Sequence, residues 1–199
     1  MSYEAELAAT REFFAARAAT WDSKYPDDSP RYAAAIAELG PAEGAFVLDA
    51  GCGTGRALPL LRAAVGPTGR VLGVDVTPEM VARAQAHAIV AAVALADCAH
   101  LPLPDGTVDL VFAAGLVNHL PDPGLGLTEL ARVSRPTGRL ALFHPIGRAV
   151  LAARHGRELT PDDRRAEPNL RPLLAANGWR LVSYTDTDDR FLAVAERAR

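Results

Sequence analysis

Cysteine is nearly absent, with only Cys52 and Cys98 in 199 residues. They stand far apart without CxxC or histidine spacing, which excludes a zinc knuckle and a disulfide framework and fits a reducing cytoplasm. Positive charge is also in short supply. Lys and Arg number 21 against 24 Asp and Glu, for a formal net charge of −3. The broad basic field that attracts duplex nucleic acid is therefore missing, and no nucleic-acid partner is expected. Long apolar runs are lacking too. The longest, AIVAAVALA at 88–96, is far too short to cross a bilayer, so no membrane insertion is expected. The opening stretch MSYEAELAATREFF carries acids early and has no signal-type apolar core. The expected molecule is soluble and cytoplasmic. Aromatics make up 6%, yet hydrophobic residues reach 49%, enough over this length for one globular domain with a sizeable core.

The order of patterns suggests how that domain is laid out. Residues 4–19 place Leu7, Phe13, Phe14 and Ala18 at helical spacing among charges. YPDDSPRY then breaks the chain, and a second helix beginning at Pro30 and closed by Gly40 completes an N-terminal cap over residues 1–44. Short β-rich runs follow, AFVLDA, RVLGVDV, AVALADC, TVDLVFAAG and GRLALFHP, interleaved with the helical patterns GRALPLLRAAV, TPEMVARAQAHA and GLGLTELARVS. Strands that are apolar on both faces and separated by helices predict a parallel sheet covered on both sides, an α/β fold. After a variable segment, 146–178, the runs WRLVSYT and RFLAVAERA are linked only by DTDD. So short a link permits an antiparallel hairpin and no crossover. No internal repeat or low-complexity segment is present.

The densest signal lies in VLDAGCGTG, where the first strand of the core, 45–145, meets its helix. In open α/β sheets ligands bind beyond the carboxyl ends of the strands, first at this turn. Gly51, Gly53 and Gly55 permit close backbone approach, and the helix start offers N–H groups to an anion. The spacing is GxGxG with no GK[ST], which excludes a P-loop and weakens a dinucleotide fingerprint. Asp75 ends the second strand about 20 positions after the loop, where a carboxylate accepts from vicinal ribose hydroxyls. Asp97 ends the third, where it can accept from an exocyclic adenine amine while the Cys98 or Ala99 N–H meets a ring nitrogen.

These residues, with GVDVTPEM, ADCAHLPLPDGTVDLVFAAGLVNHLPDP and ELARVSRPTGRLAL, resemble the class I S-adenosylmethionine-dependent methyltransferases, in particular the UbiE and type-11 groups. RPTG stands where that family commonly has RPGG, a minor departure. The resemblance implies a Rossmann-like doubly wound sheet of seven strands ordered 3-2-1-4-5-7-6, the seventh antiparallel, with helices on both faces. It implies S-adenosylmethionine as cofactor and S-adenosylhomocysteine as product. Asp49 and the glycine loop would hold the methionine part and Asp75 the ribose. Val76 and Met80 would flank the adenine, with Asp97, Cys98 and Ala99 at its edge, and Ala114 and the cap residue Tyr25 would complete the cofactor-binding set. No metal is implied.

A sulfonium methyl is already electrophilic, so the main task of such an enzyme is alignment, worth about 7–11 kcal/mol of the barrier. A general base adds roughly 10²–10⁴-fold where the acceptor must lose a proton. His119, after the fourth strand, and His144, ending the fifth, are the candidates, set against plain packing or turn roles. Trp21 and Tyr25 offer aromatic faces that attract a sulfonium. Arg56 suits either the cofactor carboxylate or solvent. Cys52 has no base near it in sequence and reads as a small buried residue. Arg148, Arg154 and Arg157, on a helix-compatible GRAVLAARHG, are available to an acidic acceptor or to water. The short variable segment favours a small-molecule acceptor. Two other readings are a protein that binds the cofactor without transfer, as a sensor or partner subunit, and an NAD-dependent oxidoreductase, the latter disfavoured by GxGxG and Asp97.

Overall fold

The computed structural model describes residues 2–24, 27–87 and 91–198. In chain order its elements are α1 (Tyr3–Ala18), α2 (Trp21–Lys24), α3 (Ser29–Leu39), β1 (Phe46–Ala50), α4 (Leu58–Val65), β2 (Arg70–Asp75), α5 (Pro78–His87), β3 (Ala92–Leu95), β4 (Val108–Ala114), α6 (Pro123–Val133), β5 (Ser134–His144), α7 (Arg148–Arg154), α8 (Glu167–Ala176), β6 (Trp179–Thr187) and β7 (Arg190–Arg197). The strands form one sheet ordered β3-β2-β1-β4-β5-β7-β6. β1 through β5 pair in parallel, and β7 runs antiparallel to both β5 and β6. This is the doubly wound α/β architecture anticipated from the alternating patterns, with its antiparallel seventh strand.

Successive residues of the central strands are divided between two apolar layers, as the period of two requires. Val47 of β1 and Leu110 and Phe112 of β4 pack with Ile36 and Leu39 of α3 and Leu58 and Leu61 of α4. Leu48 of β1 and Val111 and Ala113 of β4 pack on the other side with Leu127 and Leu130 of α6 and Leu170 and Leu174 of α8. Both faces of these strands are therefore buried, which explains their nearly continuous apolar composition. Helix ends follow local chemistry. The Ser2 hydroxyl accepts from the Ala5 N–H at 3.3 Å, and the Asp122 carboxylate accepts from the Leu125 N–H at 3.1 Å, each satisfying a donor that the first turn leaves free.

Some elements depart from the sequence expectation: β6 runs on through Thr187, so half of the DTDD link belongs to the ladder. β5 begins at Ser134, not at Gly138: Val108 pairs with Ser134 but Leu110 already pairs with Arg139. Residues 135–138, with the RPTG turn, therefore loop out of the ladder as a bulge. The one-turn α2 was not anticipated either, because the polar TWDSK stretch has too few residues to display a periodicity. Among the described residues, no helix is long and apolar enough to cross a membrane.

Trp179 joins the closing hairpin to α6: it is fully buried and its indole N–H donates to the Leu127 carbonyl at 2.9 Å. Trp179→Phe removes that bond and leaves unfilled volume, so it is expected to cost about 1–3 kcal/mol. A lower urea midpoint with unchanged slope would show it, and an unaltered midpoint would remove the anchoring role.

Candidate active site

The order of strands reverses on either side of β1, and the crevice this opens at the carboxyl ends is a cavity of about 1080 Å³. Asp49 ends β1 beside the glycine loop. The loop is held to the sheet by the Gly51 and Cys52 N–H groups, both donating to the Val74 carbonyl at 2.9 Å. Asp75 fastens the loop from the neighbouring strand: one carboxylate oxygen accepts from the Gly53 N–H at 2.9 Å and the other from the Thr77 N–H at 2.8 Å. The glycines differ in their reasons. Gly53 has φ +54° and a Cβ there would meet nothing within 4 Å, so this is the position where the backbone is bare toward the cavity. Gly55 has φ +88° and lies against the Ala84 backbone of α5, where a Cβ would come within 3.2 Å. It does not line the cavity, and its absent side chain serves helix packing.

Asp49, Gly51, Gly53, Asp75, Val76, Met80, Asp97, Cys98 and Ala114 all line the cavity, as do His119 and His144. The expected set is thus brought together, with three qualifications. Tyr25 lies outside the described residues. Gly55 supports the loop from behind. Ala99 is not part of the wall, and its N–H donates to Asp97 at 2.9 Å.

The cap was incompletely read. α1 lies across the strand tips, with the Tyr3 hydroxyl donating to Asp97 at 2.6 Å and the Arg11 guanidinium to the Val76 carbonyl at 3.1 Å. In α2, Asp22 accepts from the Thr54 hydroxyl at 2.7 Å and from Arg56 at 3.3 Å. Arg56 is accordingly a cap partner. Phe13 and Phe14, singled out only as an apolar stripe, form cavity wall together with Trp21. Phe14 meets the His119 ring edge-on at 4.9 Å.

Electrostatically the site is dominated by burial. Asp49 is 1% exposed and its Oδ2 has no hydrogen-bond partner among the described residues. Burial first, and then the charge of Asp75, push its carboxyl up to about 8. Burial raises Asp75 as well, against the lowering effect of its two backbone donors. His119 retains accessible surface on the cavity wall, but loss of surrounding water and the Arg165 charge lower its pKa. His144 is driven down to about 4 by burial and by Arg165, against a hydrogen bond with Ile146 that acts the other way. Its Nδ1 lies 2.9 Å from the Ile146 carbonyl and 3.2 Å from the Ile146 N–H, so the Ile146 backbone holds this edge of the ring. Both rings are neutral near pH 7. Cys52 and Cys98 are buried thiols with pKa values raised by burial, which rules out a thiolate nucleophile. Among the described residues, no group of three or more His, Cys, Asp or Glu side chains is suited to a metal.

On the side of α7 the expectations divide. Arg154 and Arg157 are exposed and line the cavity. Arg148 is not available: it is committed to Asp186 at 2.9 Å and to Asp163 at 3.5 Å. The residue that faces the cavity from within the fold is Arg165, which the mixed-sign run PDDRRAE concealed.

A family model described as a methyltransferase domain matches residues 48–142. An arsenite methyltransferase of Halobacterium salinarum is 34% identical over 68% of this chain and 33% of its own length. A 27-O-demethylrifamycin SV methyltransferase of Amycolatopsis mediterranei is 38% identical over 48% of this chain and 37% of its own. The chain thus spans about a third of the length of these relatives. A crystal structure of a SAM dependent methyltransferase from Aquifex aeolicus is 29% identical and superposes with a TM-score of 0.69, covering 82% of this chain and 87% of that one.

The Asp49 carboxyl makes stability depend on pH with a definite sign. Its folded pKa lies above the unfolded value near 4, so between about pH 4 and 8 the folded state holds a proton that the unfolded chain has released. Stability of the ligand-free protein therefore falls as pH rises through that window and levels off above it. Asp49→Asn, which cannot ionise, is expected to raise Tm more at pH 8 than at pH 5, with about 2–4 °C for each kcal/mol in a chain of this size. Thermal unfolding followed across pH tests this, and a shift independent of pH would overturn it.

Proposed function

The chain belongs to the class I S-adenosylmethionine-dependent methyltransferases, with a type-11 methyltransferase domain at its centre, and we propose that it transfers the cofactor's methyl group to a small-molecule acceptor by in-line displacement. The observation that carries this reading is the convergence of three strand tips, 49–55, 75 and 97, on one cavity whose wall contains a buried, unpartnered carboxyl oxygen at Asp49. A buried polar atom without a partner is costly. A ligand with a cationic group beside an extended polar chain would satisfy it, and the open backbone at Gly53 leaves the room. The residues present therefore fit S-adenosylmethionine. When bound, it supplies an electrophilic methyl on a sulfonium.

In this reading Asp49 and the loop N–H groups hold the methionine part. Asp75 takes the ribose hydroxyls on the lone pairs that Gly53 and Thr77 leave over. Val76 and Met80 enclose the adenine, and Cys98 and Asp97 meet its edge, where the Tyr3 hydroxyl shares Asp97. Ala114, at the tip of β4, borders the methyl. The cavity slightly exceeds the 300–1,000 Å³ typical of a single small-molecule site, which supports space for an acceptor beside the cofactor. His119 and His144 serve that acceptor as neutral rings that orient it through hydrogen bonds. Phe13, Phe14 and Trp21 keep water from the reacting atoms and give the sulfonium aromatic faces. Alignment on these walls is the chief source of rate.

Asp75→Asn should weaken S-adenosylhomocysteine at least tenfold in calorimetry, because the amide replaces one of the two acceptor oxygens by an NH2 that faces a backbone N–H and withdraws acceptor capacity from the ribose. Unchanged affinity would remove that role. Transfer of labelled methyl to small acceptors separates an enzyme from a protein that only binds the cofactor, and tight S-adenosylhomocysteine binding with no transfer to any acceptor would establish the latter.

A further inference from the structure

Arg165 stands apart from the other basic residues of the α7 side. Arg154, Arg157 and Arg164 are exposed, whereas the Arg165 side chain is only 11% accessible and still lines the cavity. A guanidinium keeps its charge in proteins, so burying one calls for strong partners. Those present are weak. Nε and Nη2 stand 3.4 Å from the two oxygens of a single carboxylate, Asp163, at the long edge of hydrogen bonding.

That carboxylate is also divided. One oxygen accepts from Arg165's own backbone N–H at 2.8 Å, and the other lies 3.5 Å from Arg148. Nη1 of Arg165 has no hydrogen-bond partner among the described residues. The backbone at this point is fixed, since the Arg165 carbonyl accepts from the Tyr184 hydroxyl at 2.9 Å. The ring of Phe191, also cavity wall, lies 5.9 Å from the guanidinium carbon.

The chemistry around this cation narrows the acceptor. His144 pairs with Phe191 across β5 and β7, the ring that lies beside the Arg165 guanidinium, and both line the cavity together with His119. Burial lowers the basicity of both histidines, and a fixed positive charge disfavours an ammonium. A carboxylic acid needs no base, because with a pKa near 4 it is already ionised, and its two oxygens match the guanidinium fork.

Building on the transfer reading, we propose that the acceptor is a small carboxylic acid held as its carboxylate by the Nη1 edge of Arg165, and that the product is its methyl ester. One carboxylate oxygen rests on Arg165 while the other attacks the sulfonium methyl. A C–O bond forms as the S–C bond breaks, the S–C electron pair passes to sulfur, and the anion and sulfonium become a neutral ester and a neutral thioether. No proton is transferred.

The test supplies S-adenosylmethionine with a tritiated methyl and a panel of small carboxylic acids, phenols, amines and thiols. Methyl esters release their label as volatile methanol in mild alkali, whereas methyl ethers, amines and thioethers retain it. Label on acids that alkali volatilises is the expected result. Label on phenols, amines or thiols, stable to alkali, would overturn the ester proposal while leaving the transfer reading intact. No label on any acceptor would remove both.

Arg165→Met is expected to lower kcat/KM for the accepted acid by about 10–100-fold with S-adenosylhomocysteine affinity within about twofold of wild type, and Arg165→Lys to recover part of the loss. In calorimetry against protein saturated with S-adenosylhomocysteine, the accepted acid should bind about tenfold or more tightly than its amide, a preference that Arg165→Met abolishes. Equal affinities in the wild type, or an undiminished preference in the Met variant, would overturn the role of Arg165. If the Met variant fails to fold, the Lys variant and the wild-type comparison of acid and amide decide.

Discussion

Two carboxyl groups enclosed at adjacent strand tips are the constraint on which the rest of this site depends. Asp49 and Asp75 cannot both be ionised cheaply in a water-poor crevice. The fold treats them differently. Asp75 receives two backbone N–H groups, one from the glycine loop and one from the start of α5, so its charge becomes the clasp that fixes the loop's shape. Asp49 retains an oxygen with no partner among the described residues, and burial keeps its carboxyl protonated at neutral pH. One acid is spent on architecture and the other is held in reserve, and a cation entering the crevice is what would turn the reserve into binding energy.

The glycines follow from that clasp. For the Gly53 N–H to reach Asp75, the chain must turn back on itself directly after β1, and positive φ at 51, 53 and 55 makes the turn. Close packing of Leu58 and of Ala84 in α5 behind it, together with positive φ, then disfavours even a methyl group at Gly55. α1 completes the enclosure with little apolar burial, chiefly at Leu7 and Ala18, and with polar ties at its edge. Phe13 remains 45% exposed, and α1 is fastened by Tyr3 to Asp97 and by Arg11 to Val76. Ties of this kind exchange readily with water, which suits a segment that must admit a ligand.

What the sequence disclosed and what it hid divide along a physical line. The sheet was legible because each strand records its own burial: β1 and β4 are apolar on both sides, and the DTDD link forbids a crossover. The three strand tips were legible because a glycine loop and two terminal acids are local signals in a known topology. The pairing of Tyr3 with Asp97 was not, since no pattern along the chain connects residues so far apart. Arg165 was hidden for a related reason. It sits in a charged run beside Arg164, and only the folded chain shows that one of the two points outward while the other is enclosed against Asp163. Arg148 illustrates the reverse: an arginine that seemed free is consumed by Asp186.

These ties also show how the molecule separates two tasks. In the function proposed for it, the cofactor side is built from β1, β2 and β3 and their loops, and the opposite wall serves the acceptor. The acceptor side hangs on the closing hairpin: Arg148 is bound to Asp186 of β6, the Arg165 carbonyl takes the Tyr184 hydroxyl, and Gly147 passes so close to the Thr187 carbonyl that a Cβ would lie 1.7 Å from its oxygen. Residues between Gly147 and Arg165 are thus pinned at both ends to β6, while most of those between them are exposed. Substitutions there alter the acceptor wall without disturbing either apolar layer of the sheet or the clasp at Asp75. If transfer proceeds as proposed, a fold arranged in this way can change its acceptor while keeping its grip on the methyl donor, because the two sets of contacts share a cavity but almost no supporting residues.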